Sequence, residues 1–202
     1  MRKIVLASNN KHKVKEFKEI LDNFEILTLE DINFDSEIEE TGKTFLENAL
    51  IKAKEVSKYI RNNGLIYDVL ADDSGLCVTS LNGSPGVLSA RYAGDHDSKK
   101  NRDKLIKDLD GKEKAAYFNS TIVLYHSNGT YEVGEGKTYG KIIDKELGDT
   151  SFGYDSIFLS DDLGKTFGQA TPEEKNSVSH RYRALFEIKK YLDSWFLNIL
   201  NI

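Results

Sequence analysis

An apolar run that stops at two adjacent carboxylates constrains the fold of this chain more than any other stretch. Residues 66–71 have the composition of a buried strand, and Asp-Asp-Ser-Gly follows at 72–75. Turns prefer Asp, Ser and Gly, so the sequence predicts a turn here and a second strand over 77–81. Carboxylates at the end of a strand also suit a cation, because magnesium takes one or two carboxylates together with substrate phosphate oxygens. This stretch alone supports the turn and the metal site equally well.

Length and composition indicate a packed globular fold. The chain has 202 residues, which suits one domain or two lobes that share a core. Apolar residues make up 39% of the chain, and only two prolines interrupt it. The sequence contains no low-complexity tract, which argues against a long disordered linker.

Charge and cysteine content argue against several functional classes. The net charge of -5 disfavours a general nucleic-acid-binding protein. The apolar run at 4–7 is too short for a signal-peptide core or a membrane span, so a reducing, cytoplasmic location is expected. Cys77 is the single cysteine and lies in an apolar run, which favours a small core residue over a nucleophile.

A strand, a polar loop and an amphipathic helix are predicted at the start of the chain. The strand covers 3–7, and Val14, Phe17 and Leu21 recur at helical spacing. The free N–H groups at a helix N-terminus form an anion site, and lysines of the loop 8–13 add positive charge. The loop lacks the glycines of a Walker motif. On this segment alone, a solvated lysine cluster is the better-supported interpretation.

The acidic segment before the next helix contains one carboxylate in an unusual position. Thr44 and Glu47 form a capping box, which predicts a helix that begins just after Thr44. Glu40 lies shortly before that helix, where a carboxylate is favourable. Its role is either a simple contribution to capping or a second metal ligand.

The rest of the chain predicts a β-rich middle, a compact aromatic loop and a C-terminal helix. The loop is Ser-Phe-Gly-Tyr-Asp at 151–155, and aromatic faces beside a glycine suit a planar base. A basic cluster follows at 175–181. Apolar residues of the last helix lie at Leu185, Ile188, Leu192, Trp195 and Ile199. Interleaved strands and helices predict a mixed α/β fold.

Acids, lysines and aromatics together suit a metal-bound nucleoside polyphosphate. Carboxylates hold the cation, basic groups hold phosphate oxygens and aromatic rings hold the base. The order and spacing of these motifs resemble the inosine/xanthosine triphosphate pyrophosphatase family over nearly the whole chain. The residues that carry the resemblance are Ser8, Asn10, Lys13, Glu16, Glu40-Thr41-Gly42, Phe45, Asn48-Ala49, Lys52-Ala53, Ala71-Asp72-Asp73-Ser74-Gly75-Leu76, Gly83, Pro85-Gly86, Ser89-Ala90-Arg91-Tyr92, Phe152-Gly153-Tyr154-Asp155, Lys175-Asn176 and Ser179-His180-Arg181.

The resemblance implies a fold and an activity. The fold is a single α/β domain of two lobes over residues 1–202, with a long mixed β-sheet flanked by helices and a central substrate cleft. The activity is a house-cleaning hydrolysis, dependent on Mg²⁺, that converts ITP, dITP and XTP to the monophosphate and pyrophosphate. A homodimer is expected, with no nucleic-acid or membrane partner. A septum-type modified-nucleotide pyrophosphatase and a catalytically inactive nucleotide-binding regulator are the alternatives.

Site residues follow from the resemblance position by position. Asp73 would be the general base and, with Glu40, a metal ligand. The substrate-binding residues would be Ser8, Asn9, Asn10, Lys11, His12, Lys13, Lys52, Ser74, Phe152, Gly153, Tyr154, Asp155, Lys175, His180 and Arg181. The family usually has proline after the Phe-Gly-Tyr-Asp motif, where this chain has Ser156. Asn9 replaces a glycine-like residue at the entry to the first loop.

Overall fold

The computed structural model describes residues 2–94 and 96–199, with residues 193–199 described by backbone alone. Six strands form one sheet in the order β2-β1-β3-β4-β5-β6. The strands are β1 (Arg2–Leu6), β2 (Phe24–Leu27), β3 (Asp68–Val78), β4 (Ala115–Tyr125), β5 (Tyr131–Ile142) and β6 (Phe158–Ser160). The helices are α1 (Lys11–Ile20), α2 (Phe45–Asn62), α3 (Ser98–Asp108), α4 (Pro172–Val178) and α5 (His180–Ile199).

The sheet is mixed, which confirms the predicted α/β class. β1 pairs in parallel with both β2 and β3. β5 and β6 pair in antiparallel fashion. Parallel neighbours need crossover connections, and α1 and α2 lie in the connections that follow β1 and β2.

The chain divides into two compact units. Unit 1 comprises Met1–Asp73, Thr121–Glu135 and Arg183–Ile202, and unit 2 comprises Ser74–Ser120 and Gly136–Tyr182. The interpretation of the chain as a single domain of two lobes, with a central cleft, stays a prediction. Within the described residues, no helix combines the length and the apolarity that a membrane span requires.

Unit 1 buries both faces of its part of the sheet. Alternate residues of a strand point to opposite faces. Ile4 and Leu6 of β1 pack in one core with Phe17 of α1 and Leu185 of α5. Val5 packs instead in a second core, which contains Ala49, Ala53 and Val56 of α2. The helices therefore cover the sheet in unit 1 on two sides, α1 and α5 on one and α2 on the other.

Unit 2 has a separate core that is rich in aromatic residues. Phe118 of β4 contacts Phe158 with ring centroids 4.7 Å apart and Phe167 with centroids 5.9 Å apart. Leu105 of α3 and Tyr154 of the aromatic loop belong to the same core. This core places the aromatic loop against α3 within unit 2.

The predicted start of the helix after Thr44 agrees with the structure. Thr44 caps α2 through a complete capping box with Glu47. Asp97 caps α3, and Asn10 caps α1. The apolar residues Leu185, Ile188 and Leu192 of α5 are buried as predicted. The side chains of Trp195 and Ile199 lie outside the described residues. α4 carries a second capping box, from Thr171 to Glu174, which the sequence analysis did not identify.

The predicted turn at residues 74–75 is wrong. β3 runs without interruption from Asp68 to Val78, so the Asp-Asp-Ser-Gly tetrapeptide lies inside a strand. Of the strand predicted over 77–81, residues 77–78 end β3 and residues 79–81 form a short 3-10 helix. Asp72 and Asp73 are buried, with 1% and 5% of their surface exposed. Tertiary burial and polar partners outweigh the low strand propensity of Asp and Gly.

Candidate functional site

Asp72 and Asp73 point to opposite faces of β3 because they are consecutive in a strand. Leu70, two residues before Asp72, packs in the core that α1 and α5 cover. Ala71, two residues before Asp73, packs in the core that α2 covers. The two carboxylates therefore meet different helices.

Asp72 pairs with a lysine of α1. The Nζ atom of Lys13 lies 2.7 Å from the Oδ2 atom of Asp72, and this carboxylate has no exposed side-chain surface. Asn10 fixes the start of the helix, because its side chain accepts hydrogen bonds from the backbone N–H groups of His12 and Lys13. The predicted lysine loop thus places the ammonium of Lys13 beside Asp72 of β3.

Asp73 meets two polar residues of α2. The Nδ2 atom of Asn48 donates to its Oδ2 atom at 3.0 Å, and the Nζ atom of Lys52 lies 3.8 Å from its Oδ1 atom. Burial raises the pKa of Asp73, and the positive charges of Lys52 and Lys13 oppose that rise. The result is a buried carboxylate with one oxygen held by an amide and the other directed to a cation.

Glu40 reaches the same cation from the segment before α2. The Nζ atom of Lys52 donates to the Oε1 atom of Glu40 at 2.7 Å and to the backbone oxygen of Asp72 at 2.8 Å. Glu40 is therefore paired with Lys52, and the helix cap is supplied by Thr44. We refer to the connected residues Lys13, Glu40, Lys52, Asp72 and Asp73 as the carboxylate–lysine cluster.

Asn48 and Gly42 hold the Glu40 segment in place. The backbone N–H of Gly42 donates to the Oδ1 atom of Asn48 at 2.8 Å. A Cβ atom at Gly42 would lie 2.6 Å from that Oδ1 atom and 2.7 Å from the Cβ of Glu47. Only glycine allows the backbone at this position to lie so close to Asn48 and Glu47. Asn48, a residue to which the sequence analysis gave no role, therefore links the Glu40 segment to Asp73.

The other residues of the first loop have different surroundings. The Oγ atom of Ser8 accepts a hydrogen bond from the backbone N–H of Asn10 at 3.2 Å. Asn9 and Lys11 line a surface pocket together with Lys15 and other residues of α1. His12 is exposed. Lys13 joins this predicted triphosphate loop to the cluster through its ion pair with Asp72.

Three of the predicted base-binding residues of unit 2, Phe152, Asp155 and Lys175, form a second group. The Nζ atom of Lys175, on α4, donates to the Oδ2 atom of Asp155 at 2.7 Å. The same ammonium lies 5.1 Å from the ring centroid of Phe152 and 5.7 Å from that of Phe167. Both distances allow a cation–π interaction. We refer to Phe152, Asp155, Phe167 and Lys175 as the aromatic–lysine cluster.

Tyr154, His180 and Arg181 are built into the interior of unit 2. The hydroxyl of Tyr154 donates to the backbone oxygen of Ser89 at 2.8 Å, and burial raises its pKa. The ring of His180 stacks on Phe118 with centroids 4.9 Å apart. The Nη2 atom of Arg181 lies 3.1 Å from the Oγ atom of Ser74. His180 and Arg181 are 5% and 1% exposed, so their predicted contact with a base stays a prediction.

Comparison with known proteins gives a consistent result. The sequence profile of the Ham1 family matches residues 4–191. A "dITP/XTP pyrophosphatase" of Clostridium perfringens is 47% identical over 199 residues, which are 95% of this chain and 98% of that protein. A protein of the same description from Campylobacter jejuni is 44% identical over 203 residues, covering 98% of both chains. The structure of the Staphylococcus aureus Ham1 protein superposes with a TM-score of 0.84 at 37% identity, over 96% of this chain and 99% of that one.

Proposed function

Because this chain belongs to the Ham1 family, as its motifs predicted, we propose that it is a house-cleaning nucleoside-triphosphate pyrophosphatase. It hydrolyses non-standard purine nucleoside triphosphates (ITP, dITP and XTP) to the monophosphate and pyrophosphate. The observation that carries the proposal is the carboxylate–lysine cluster. There, one ammonium lies between Glu40 and Asp73 while a second is held by Asp72.

The donor set of this cluster fits a divalent cation, which we take to be Mg²⁺. The Nζ atom of Lys52 is 2.7 Å from Glu40 and 3.8 Å from Asp73, so both carboxylates already converge on a positive charge. No group of three or more His, Cys, Asp or Glu side chains suited to a metal occurs among the described residues. A pair of carboxylates with substrate phosphate oxygens is the usual environment of magnesium. Bound there, the ion would supply neutralisation of phosphate charge.

Asp73 is the general base of the proposed reaction. A water proton passes to its carboxylate while the water oxygen bonds to the α-phosphorus. The bond between the α-phosphorus and the bridging oxygen breaks, and pyrophosphate leaves with that oxygen. Burial raises the pKa of Asp73, which makes it a stronger base than a solvated aspartate. The hydrogen bond from Asn48 fixes Oδ2 and so orients the carboxylate.

Lys13 and Lys52 supply the positive charge that the triphosphate requires. Both ammonium groups are largely buried, with side-chain exposures of 14% and 11%. Charges in a poorly solvated environment interact with phosphate more strongly than exposed ones. Each lysine is already oriented by a carboxylate of the cluster before the triphosphate binds.

We assign the purine to the aromatic–lysine cluster. A 6-oxo purine has a hydrogen-bond acceptor where adenine has an amino donor. The ammonium of Lys175 is a donor only, so it favours the 6-oxo group and disfavours adenine. The ring of Phe152, beside that ammonium, provides a face on which a planar base stacks.

A panel of nucleoside triphosphates tests the proposed function. With Mg²⁺ present, ITP, dITP and XTP should yield pyrophosphate and the monophosphate, and ATP should react far more slowly. Addition of EDTA should stop the reaction. Release of orthophosphate in place of pyrophosphate, or no turnover of any 6-oxo purine nucleotide, would contradict the proposal. The second outcome is the one expected of an inactive regulator.

The expected homodimer and cytoplasmic location belong to the same proposal. Light scattering coupled to size-exclusion chromatography measures the mass in solution. A mass near twice 22.8 kDa would support the dimer, and a mass of one chain would contradict it.

A further inference from the structure

A buried arginine of α3 contacts the aromatic loop. Arg102 is 3% exposed, although the lysine-rich segment around it has the composition of a solvent-exposed helix. Its Nη1 atom donates to the backbone oxygens of Gly153 at 2.8 Å and Thr150 at 3.2 Å. Its Nε atom donates to the Oε1 atom of Glu146 at 2.7 Å. One guanidinium thus connects α3 to Gly153 in the aromatic loop, to Thr150 directly before the loop and to Glu146 further upstream.

The chemistry of these contacts requires arginine. Burial of a charge is costly unless the charge is paired and hydrogen-bonded, and here Glu146 and the carbonyl groups provide both. The planar guanidinium holds several donors in a fixed fork, whereas a lysine ammonium is a compact point charge on a flexible stem. The carbonyls that Arg102 binds belong to the loop backbone, so the contact fixes the path of the chain.

The neighbouring residue of α3, Asn101, holds the 3-10 helix Gly86–Arg91 and the turn that follows it. The Nδ2 atom of Asn101 donates to the backbone oxygen of Ala90 at 3.0 Å, and its Oδ1 atom accepts from the backbone N–H of Ala93 at 2.6 Å. Tyr154 of the aromatic loop donates a hydrogen bond to the backbone oxygen of Ser89 in the same 3-10 helix. Arg102 therefore supports the aromatic loop directly, and Asn101 supports it through the helix that Tyr154 contacts.

The loop needs such support because its sequence does not supply rigidity. A proline after Asp155 would fix its own φ and restrict the residue before it. Ser156 stands there instead. Gly153, in the middle of the loop, has a φ of +51°, a conformation that glycine adopts at no steric cost. The loop conformation consequently depends on contacts, and one of those made by Arg102 is to Gly153, directly after Phe152.

We propose that Arg102 is a positioning residue for base recognition. It fixes the aromatic loop at 151–155 and the preceding Thr150, so that Phe152 stays beside the ammonium of Lys175. This inference rests on the proposed function. The proposed role of Arg102 requires no contact with the reacting phosphates. Loss of Arg102 should therefore weaken binding of the base and leave the chemical step largely intact.

The test compares Arg102→Met with Lys107→Met. Lys107 is exposed on the same helix, so the control removes one positive charge from α3 without touching the loop. We expect Arg102→Met to raise KM for ITP at least about tenfold, since hydrogen bonds to a charged group are lost. The kcat should stay within about threefold, and Lys107→Met should match the wild type. Tripolyphosphate, which has no base, should bind to all three proteins equally by calorimetry with Mg²⁺. Equal weakening of ITP and tripolyphosphate, or an unchanged KM in folded Arg102→Met, would overturn the proposal.

Hydrogen–deuterium exchange gives a readout that does not depend on turnover. Peptides that cover residues 147–158 should exchange faster in Arg102→Met, while peptides from β1 should not change. Unchanged exchange in the loop would overturn the proposal even if the enzyme is active. If the wild type hydrolyses no nucleotide, the proposed function fails, and the exchange experiment still tests the loop contact. Where Arg102→Met does not fold, Arg102→Lys takes its place, with the same direction of change and a smaller size.

Discussion

The carboxylate–lysine cluster and the aromatic–lysine cluster use similar residues in different ways. In the first, Lys52 is shared by Glu40, Asp73 and a backbone oxygen, and burial raises the pKa of Asp73. In the second, Lys175 pairs with Asp155 and lies over aromatic rings. Dense, buried charge suits chemistry on phosphate, while an ion pair beside ring faces suits recognition of a base. The rate of hydrolysis and the selectivity for the base should therefore respond to different substitutions.

The largest effect is expected for Asp73→Asn. Loss of a general base typically costs a hundredfold to ten-thousandfold, and we expect kcat to fall by about that factor. The protein should stay folded, because asparagine has the same shape and can still accept the hydrogen bond from Asn48. Steady-state kinetics with ITP measure kcat, and circular dichroism measures whether the variant is folded. Asp103→Asn, at an exposed position of α3, is the control. A kcat near that of the wild type would break the assignment of chemistry to the first cluster.

Glu40→Gln should act through the metal. We expect the Mg²⁺ concentration for half-maximal activity to rise about tenfold or more, in line with losses seen when groups around a metal are changed. Binding of Mn²⁺, followed by electron paramagnetic resonance without substrate, should weaken in parallel. Glu39→Gln is the matched control, since Glu39 is exposed and adjacent in sequence. Unaltered metal binding in Glu40→Gln would remove Glu40 from the ligand set.

Lys175→Met should change selectivity more than rate. We expect KM for ITP to rise about tenfold and the preference for ITP over ATP to fall, because a charged donor to the 6-oxo group is lost. Competition kinetics between the two nucleotides give the ratio directly. Since the change leaves Asp155 without Lys175, the double variant Lys175→Met/Asp155→Asn should be measured beside it. Full selectivity in both variants would contradict the role of the second cluster.

The smallest effects are expected at the two capping boxes. Thr44→Ala should lower the free energy of unfolding by about 1 kcal/mol, which corresponds to roughly 2–4 °C in Tm for a chain of this size. α2 contributes many buried residues, whereas α4 contributes none, so Thr171→Ala should lower Tm less. Thr171→Ala should instead raise KM for ITP slightly, because α4 carries Lys175. Equal changes in Tm for the two variants would argue that α4 is as important to stability as α2.

Elements with a clear periodicity or cap could be predicted from the sequence. The structure confirms the capping box of α2, the described apolar residues of α5 and the helical spacing of Val14, Phe17 and Leu21. Cys77 is buried, as its apolar surroundings predicted. These features depend on local sequence, which is why local patterns reveal them.

The features that escaped prediction depend on distant partners. The Asp-Asp-Ser-Gly tetrapeptide has turn composition but lies in β3, because Lys13 and α2 supply partners for its buried carboxylates. In the sequence, Arg102 resembles the exposed charged residues around it. Its partners are backbone carbonyl groups 48 and 51 residues further along the chain, which only the folded structure places beside it. Among the candidate site residues, Glu40 and Asp73 could be named from their motifs. Their shared partner Lys52 was assigned to the triphosphate and not to them.

Hydrolysis of ITP in water enriched with oxygen-18 identifies the phosphorus atom that water attacks. Attack at the α-phosphorus, as proposed, should place the label in inosine monophosphate and none in pyrophosphate, which mass spectrometry measures. Label in pyrophosphate would show attack at the β-phosphorus and would contradict the proposed role of Asp73.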